Sequence, residues 1–319
     1  MAILVSQLIS TTPKIYNSLS AHLKERFGCR VYKVTIDTGL TCPNRDGSRG
    51  TGGCDFCVSS ALLPKAFTSG ADVKGQLLEG IAYVKNRHKA EKFIAYFQVN
   101  TNTHAPVREL EKIFKEALIP EVACIAISTR PDCLGDDVLG LLKEIKDERP
   151  LWVELGLQSA NDSTLEKINR GHTAAEFKDA VLRAAALGLD ICAHAIIGLP
   201  GEGRADIINT MRFIASLPVW GIKFHQLQVL KGTRLEEAWI RGEVKTLPID
   251  EYAALAAECL EELPPHMVVH RLCGDAPLRY IVAPKWGGGK FRIIEKITGV
   301  MTEKKTFQGA KYERRGVCL

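Results

Sequence analysis

Three cysteines, Cys42, Cys54 and Cys57, constrain this chain most tightly. They bracket the stretch Cys-Pro-Asn-Arg-Asp-Gly-Ser-Arg-Gly-Thr-Gly-Gly-Cys-Asp-Phe-Cys. Cys54 and Cys57 are spaced so that one loop offers two thiolates to one metal centre, and Cys42 returns from the far side of a glycine-rich excursion. A 4Fe-4S cluster normally takes four protein thiolates. Three leave one iron with an open position, where a ligand or substrate can be activated. Gly47, Gly50, Gly52 and Gly53 suit a backbone wrapped round a cluster, with positive φ and amides free to face its sulfides. Two other readings share the thiols. Cys-x-x-Cys also serves zinc sites and redox dithiol loops, and a closed zinc site needs a fourth ligand, for which Cys29 is the nearby candidate. A dinucleotide loop fails, because the third glycine of G-x-G-x-x-G would fall at Asp55.

At 319 residues the chain has room for one α/β barrel-sized domain with an appendage. Hydrophobic content of 46% and charge of 25% are those of a globular protein, and a net charge of +5 does not by itself demand nucleic acid. The ten cysteines are scattered, with Cys124 and Cys192 inside apolar runs, which suits a reducing cytosol and not a disulfide framework. The apolar start at Ala2–Val5 is interrupted by Ser6, Gln7 and Ser10 without a preceding basic segment, so neither signal peptide nor membrane span is expected.

Periodicity predicts a helix over Tyr16–Phe27 stopped by Gly28, then a strand over Val31–Asp37 that leads into the cysteine loop. Helices follow over Val73–Lys89, Val107–Ala117, Asp136–Lys146 and Ala205–Leu217, alternating with strands over Phe93–Val99, Val122–Ser128, Leu151–Gln158, Ile191–Gly198 and Gly221–Val229. Ser163 with Glu166 and Thr173 with Glu176 read as capping boxes of two short helices. Strict alternation implies parallel βαβ units. A full eight-stranded barrel takes roughly 250 residues, so six units imply an open six-stranded partial barrel over residues 29–247. A helical segment at 1–28 precedes it and a C-terminal extension at 248–319 follows. In that extension Ile249–Leu263 reads as a helix and Met267–Arg271 as a short strand. Trp286-Gly-Gly-Gly-Lys290 reads as a turn before a basic tail that includes Lys304, Lys305, Arg314 and Arg315. A solvated face is the plain reading of that tail, and a track for a phosphate backbone the functional one.

Polar residues gather on one strand face. Val153, Leu155 and Leu157 oppose Glu154, Gly156 and Gln158; Cys192, His194 and Gly198 share a face; Lys223 and His225 oppose Ile222 and Phe224. A single strand histidine is more often a satisfied core group. Several on one face of successive strands point to a lumen lined for chemistry, reached from the carboxyl ends of the strands.

The order of motifs resembles the YhcC/YtqA-type family of radical S-adenosylmethionine (SAM) enzymes. The match rests on the cysteine loop, Ser128-Thr-Arg-Pro-Asp132, Glu154-Leu-Gly-Leu-Gln-Ser159, Asn169-Arg-Gly-His172, Gly198-Leu-Pro-Gly-Glu202 and Lys231-Gly-Thr233, spread from about Tyr16 to Pro284. The first cysteine spacer holds eleven residues where the superfamily commonly has three. Long spacers also occur in relatives similar to the Elongator catalytic subunit, which shares the Thr-Arg-Pro-Asp and Arg-Gly-His-Thr signatures.

The resemblance implies that Cys42, Cys54 and Cys57 hold a 4Fe-4S cluster whose open iron chelates S-adenosylmethionine. One-electron reduction then cleaves the sulfonium bond, and the 5′-deoxyadenosyl radical takes a hydrogen from substrate. It places Phe56 beside the adenine, Gln98 and Asn100 at the methionine amine, Thr129, Arg130, Gln158 and Ser159 at the ribose and carboxylate, and Ile196 to Gly198 along the adenine. Lys223 and His225 are expected to face an anionic substrate. A reductant such as flavodoxin or ferredoxin is the expected partner, and the side chain of a tRNA wobble uridine the expected substrate, with a small metabolite or a non-catalytic zinc module as alternatives. The tail is too short for the acetyltransferase domain of Elongator's catalytic subunit, so acetyl-CoA chemistry is not expected. Cys259, Cys273 and Cys318 lack the spacing of an auxiliary cluster.

Overall fold

Strand and helix alternate along the chain in the computed structural model, which describes residues 15–59 and 72–312. The elements run α1 (Leu19–Phe27), β1 (Val31–Ile36), α2 (Val73–His88), β2 (Lys92–Phe97), α3 (Val107–Lys115), β3 (Val122–Thr129), α4 (Asp136–Glu148), β4 (Leu151–Gln158), α5 (Asp162–Lys167), α6 (Ala174–Ala186) and β5 (Asp190–Ile197). They continue with α7 (Arg204–Ala215), β6 (Gly221–Gln226), β7 (Val229–Leu230), α8 (Arg234–Ile240), α9 (Ile249–Glu262), β8 (Val268–Arg271), β9 (Ile281–Ala283) and α10 (Gly289–Glu303).

Among the described residues, seven strands form one sheet in the order β1-β2-β3-β4-β5-β6-β8, with every pairing parallel. Sequential order with no reversal is the connectivity of a barrel, and because β1 and β8 do not pair with each other the barrel stays open. The fold is thus the expected partial barrel with one strand more than the six expected. The short strand of the extension, expected over Met267–Arg271 and found over Val268–Arg271, joins β6 through Val268 opposite Gly221. Conversely, the sixth strand ends at Gln226, and Val229–Leu230 pairs antiparallel with β9.

Alternation divides the strands between two environments. Val153, Leu155, Leu157, Ile191, Ala193, Ile222 and Phe224 belong to the main apolar core, which the helices cover. On the inner face a second cluster of Ile94, Tyr96, Cys124, Ala126, Trp152, Cys192 and Val268 packs against Leu19 and Leu23 of α1. The first helix therefore plugs one end of the lumen. Gly28 caps it in the left-handed conformation, donating its N–H to the Lys24 carbonyl.

Two local readings need correction. The capping box at Thr173 and Glu176 forms, but Ser163 is inside α5, whose N-cap is Asn161; the Asn161 side chain accepts from the Ser163 N–H. The stretch read as the turn Trp286–Lys290 and a basic tail holds the helix α10, which starts at Gly289 and buries Ile293, Ile297 and Met301; these join the main core. Ala2–Val5, Arg314, Arg315 and Cys318 lie outside the described residues. No described helix is long and apolar enough to cross a membrane.

Candidate active site

The loop between Cys42 and Cys57 closes on itself through its backbone. The Arg45 N–H reaches the Cys42 carbonyl at 2.8 Å, the Gly53 N–H the Asn44 carbonyl at 2.7 Å, and the Cys57 N–H the Cys54 carbonyl at 3.0 Å. Gly47, Gly52 and Gly53 have the positive φ expected of them. At Gly53 a Cβ would also lie 2.8 Å from the Arg45 guanidinium carbon. Gly50 departs from the expectation: its φ is ordinary, and the missing side chain instead admits the Asn44 amide oxygen, 2.4 Å from where a Cβ would stand.

Side chains from other elements hold the loop. Asn44 Nδ2 donates to the Asn169 carbonyl at 2.5 Å, and Asn169 Nδ2 donates back to the Gly53 carbonyl at 2.8 Å. Arg234 of α8 reaches the Gly53 carbonyl at 2.8 Å, and Arg45 bonds the Cys57 carbonyl at 2.8 Å. Two donors point at sulfur: Asn44 Nδ2 at 3.5 Å and Arg170 Nη1 at 3.6 Å from Cys54 Sγ.

Cys42, Cys54 and Cys57 all line a cavity of about 770 Å³, and Cys29 does not. Among the described residues, no three His, Cys, Asp or Glu side chains lie close enough together to share one metal ion. The three thiols thus border a space instead of meeting at a point, which fits a multi-iron cluster and not a closed zinc site. Burial, and then the neighbouring Cys54, push the Cys57 thiol up. Three thiolates in such a setting need a cationic centre between them.

Of the residues assigned to S-adenosylmethionine, Phe56, Gln98, Asn100, Thr129, Arg130, Gln158 and Ile196 line this cavity. Asn100 is fixed in the left-handed region (φ +59), donating to the Leu40 carbonyl at 2.8 Å and accepting from Ser59 Oγ at 2.6 Å. Gln98 accepts from Thr35 Oγ1 at 3.3 Å. Ser159 and Gly198 are not among the lining residues. Ser159 is buried and bonds Glu202, while Gly198 turns at φ +91 against Leu247.

Arg130 is committed to the protein. Its guanidinium bonds Asp132 at 2.9 and 3.1 Å, the Arg170 carbonyl at 2.8 Å and the Gly171 carbonyl at 3.2 Å. The Thr-Arg-Pro-Asp and Arg-Gly-His-Thr signatures therefore touch one another. Their joint product is the placement of Arg170, which bonds the Gly156 carbonyl at 2.7 Å with Nη2. His172 Nε2 meets the same carbonyl at 2.9 Å, and burial followed by the Arg170 charge lowers this imidazole to about 2. Sequence reasoning did not single out Arg170 or Asn44 as site residues, although both stood inside quoted motifs.

Away from the thiols, the cavity ends on a carboxylate. Glu154 is fully buried and accepts from Lys33 Nζ at 2.8 Å, Tyr96 Oη at 2.6 Å, His194 Nε2 at 3.2 Å, Trp152 Nε1 at 3.3 Å and Lys223 Nζ. His270 Nδ1 stands 3.7 Å away. Burial alone would raise this carboxyl, but the Lys223 and Lys33 ammoniums hold it well below the usual range. Lys223 also donates to Tyr96 Oη at 2.7 Å. Lys223 lines the cavity as expected, with its charge taken up by Glu154. His225 lines it too, 5.4 Å ring to ring from His194. Burial, then the Arg271 charge, hold its imidazole well below its ordinary value.

The chain matches the Radical SAM superfamily over residues 42–214 and the Radical_SAM C-terminal domain over residues 219–303. It is 39% identical over 306 residues to YtqA of Bacillus subtilis, covering 96% of this chain and 95% of that protein. It is 28% identical over 162 residues to the tRNA uridine(34) acetyltransferase of Dehalococcoides mccartyi, covering 50% of this chain and 35% of that protein. Its fold is similar to that of the archaeal Methanocaldococcus infernus Elp3, with a TM-score of 0.68 at 19% identity, covering 90% of this chain and 68% of that one. The cavity bordered by three thiols on a partial barrel has its explanation in these matches: the chain belongs to the radical SAM superfamily and is an enzyme that uses a 4Fe-4S cluster and S-adenosylmethionine.

Proposed function

We propose that this enzyme modifies a nucleobase of tRNA, the side chain of the wobble uridine, inside the 770 Å³ cavity. When bound, the cluster and S-adenosylmethionine supply reductive cleavage of a sulfonium bond and the hydrogen-atom abstraction that follows. The chain's part is to seat that cofactor and to exclude water from the reacting atoms. Cys42, Cys54 and Cys57 would hold the cluster. In this reading Phe56, Gln98, Asn100, Thr129, Gln158 and Ile196 hold S-adenosylmethionine, Arg130 acts by fixing Arg170, and Lys223 and His225 meet the substrate; the lining of the cavity by these residues supports it.

The observation that carries the RNA reading is the likeness to a tRNA uridine(34) acetyltransferase, which spans half of this chain. A base extruded from its strand could enter such a cavity. Arg45 and Lys290 add positive charge to its lining, and Lys304 and Lys305 are exposed at the end of α10, where a phosphate backbone could run. The test compares the modified nucleosides of total tRNA from a deletion strain and its parent. Loss or replacement of one uridine derivative is expected, and an unchanged nucleoside profile while the parent expresses the protein overturns the reading. Binding of tRNA should also weaken steeply with salt and fall further when Lys304, Lys305, Arg314 and Arg315 are neutralised together.

A further inference from the structure

We infer that the floor of the cavity is a subsite for one carboxylate of the substrate, received by Lys33. The inference rests on the cavity being the reaction chamber of a radical enzyme and not on the substrate being RNA.

Lys33 points inward from β1 and lines the cavity. Its ammonium sits 4.3 Å above the Tyr96 ring and 5.7 Å from the Trp152 ring, and among the described residues it makes one hydrogen bond, to Glu154 at 2.8 Å. An ammonium has three donors, so two remain for a ligand. The side chain is 25% exposed, against 5% for Lys223 and none for Glu154. Of the two ammoniums on Glu154, Lys33 is the more accessible to a ligand, and His194, 16% exposed, is the other partly open member of the group.

The charges of the floor do not cancel. Lys33 and Lys223 bring two positive charges and Glu154 one negative. Arg271 beside them is matched by Asp275. The three nearby imidazoles add nothing at neutral pH: burial, then Lys223, lower His194 to about 4, burial lowers His270 to about 3, and His225 is likewise held down. A single surplus positive charge in a partly buried place is costly without an anion. A carboxylate supplies one negative charge. A phosphate monoester carries between one and a half and two near neutrality and would reverse the imbalance. The aromatic walls suit a carboxylate on a short apolar stem, and His225, whose Nε2 is buried without a partner, lines the same cavity.

This position is distinct from the cofactor end. Lys33 lies three residues before the end of β1 at Ile36, about 10 Å deeper at the rise of a strand, and Cys42 lies beyond that end. A carboxylate on the floor would therefore belong to the substrate and not to the methionine moiety of S-adenosylmethionine.

The test uses reconstituted protein saturated with S-adenosylmethionine and two probe pairs, each a carboxylate with a neutral analogue: phenylacetate with phenylacetamide, and 5-carboxymethyluridine with its methyl ester. Equilibrium dialysis is expected to show at least one carboxylate bound tenfold or more tightly than its neutral partner. Lys33→Gln, which keeps a donor toward Glu154, should reduce the preference to less than twofold, and Lys33→Arg should restore it. Iron content and melting temperature of each variant show that the fold is retained. Preference for phenylacetate alone supports the subsite while counting against the nucleoside, so the two readings fail separately. Equal binding within both pairs, no saturable binding of either carboxylate, or a Lys33→Gln protein that loses affinity for S-adenosylmethionine itself overturns the proposal.

Discussion

Lys33 on β1 and Glu154 on β4 join at 2.8 Å across the lumen of a sheet whose edge strands do not pair. The same carboxylate takes Tyr96 from β2, His194 from β5 and Lys223 from β6, and it stands 3.7 Å from His270 on β8. One buried side chain thus brings both edges of the open barrel to a common point.

Replacing Glu154 by Gln should therefore destabilise the protein by about 3–5 kcal/mol, because two ammoniums lose their counter-charge inside the fold. The double variant Glu154→Gln, Lys223→Met removes one of those ammoniums and should recover part of the loss. Anaerobic denaturant unfolding measures both, and a Glu154→Gln protein as stable as the parent would show that the carboxylate does not hold the barrel together.

Cys42→Ala, Cys54→Ala and Cys57→Ala should each abolish cluster assembly, while Cys29→Ala leaves iron content and iron-sulfur absorption unchanged. If Cys29→Ala removed iron as fully as Cys54→Ala, a fourth thiolate would close the site.

Arg170 Nη1 points at Cys54 Sγ from 3.6 Å. Hydrogen bonds and positive charge near a cluster sulfur favour the more negative, reduced state. Arg170→Gln should therefore shift the potential of the reconstituted protein to more negative values. A redox titration followed by electron paramagnetic resonance reads the shift, and an unchanged potential with intact iron content would reduce Arg170 to a structural brace.

The floor imidazoles make stability depend on pH. In an unfolded chain histidines take up protons near 6.5, but in this fold His194 does so at about 4 and His270 at about 3. Between those values the unfolded state binds more protons, so stability falls as pH drops from about 6.5 towards 4. Anaerobic melts should give a lower Tm at about pH 5.5 than at about pH 7.5, and His194→Gln should narrow the difference. Equal melting temperatures at the two pH values in the parent would contradict the burial of neutral imidazoles.

Local chemistry was readable from the sequence where a residue's fate depends on near neighbours. The two-residue alternation of β4 placed Leu155 in the helix-covered core and Glu154 in the lumen, as found. Gln98 and Asn100 were set at the end of the second strand by the family resemblance, and both line the cavity. What Glu154 would meet was not readable, since Lys33 lies 121 positions away and only the closing of the sheet brings them together. Ser159 failed for a related reason: one residue past β4 the alternation no longer applies, and its hydroxyl turns to Glu202. The helix α10 was hidden behind Gly287-Gly-Gly289 and a surplus of lysines. Its apolar residues Ile293, Ile297 and Met301 recur every fourth position, a period that basic composition obscured.

The clasp between Asn44 and Asn169, with Arg45 and Arg234 on the carbonyls of Cys57 and Gly53, is made of protein groups alone. Its consequence is that the three thiols are positioned from outside their own motif: a substitution at Asn169 or Arg234, in other segments of the barrel, would displace them as surely as one within the loop.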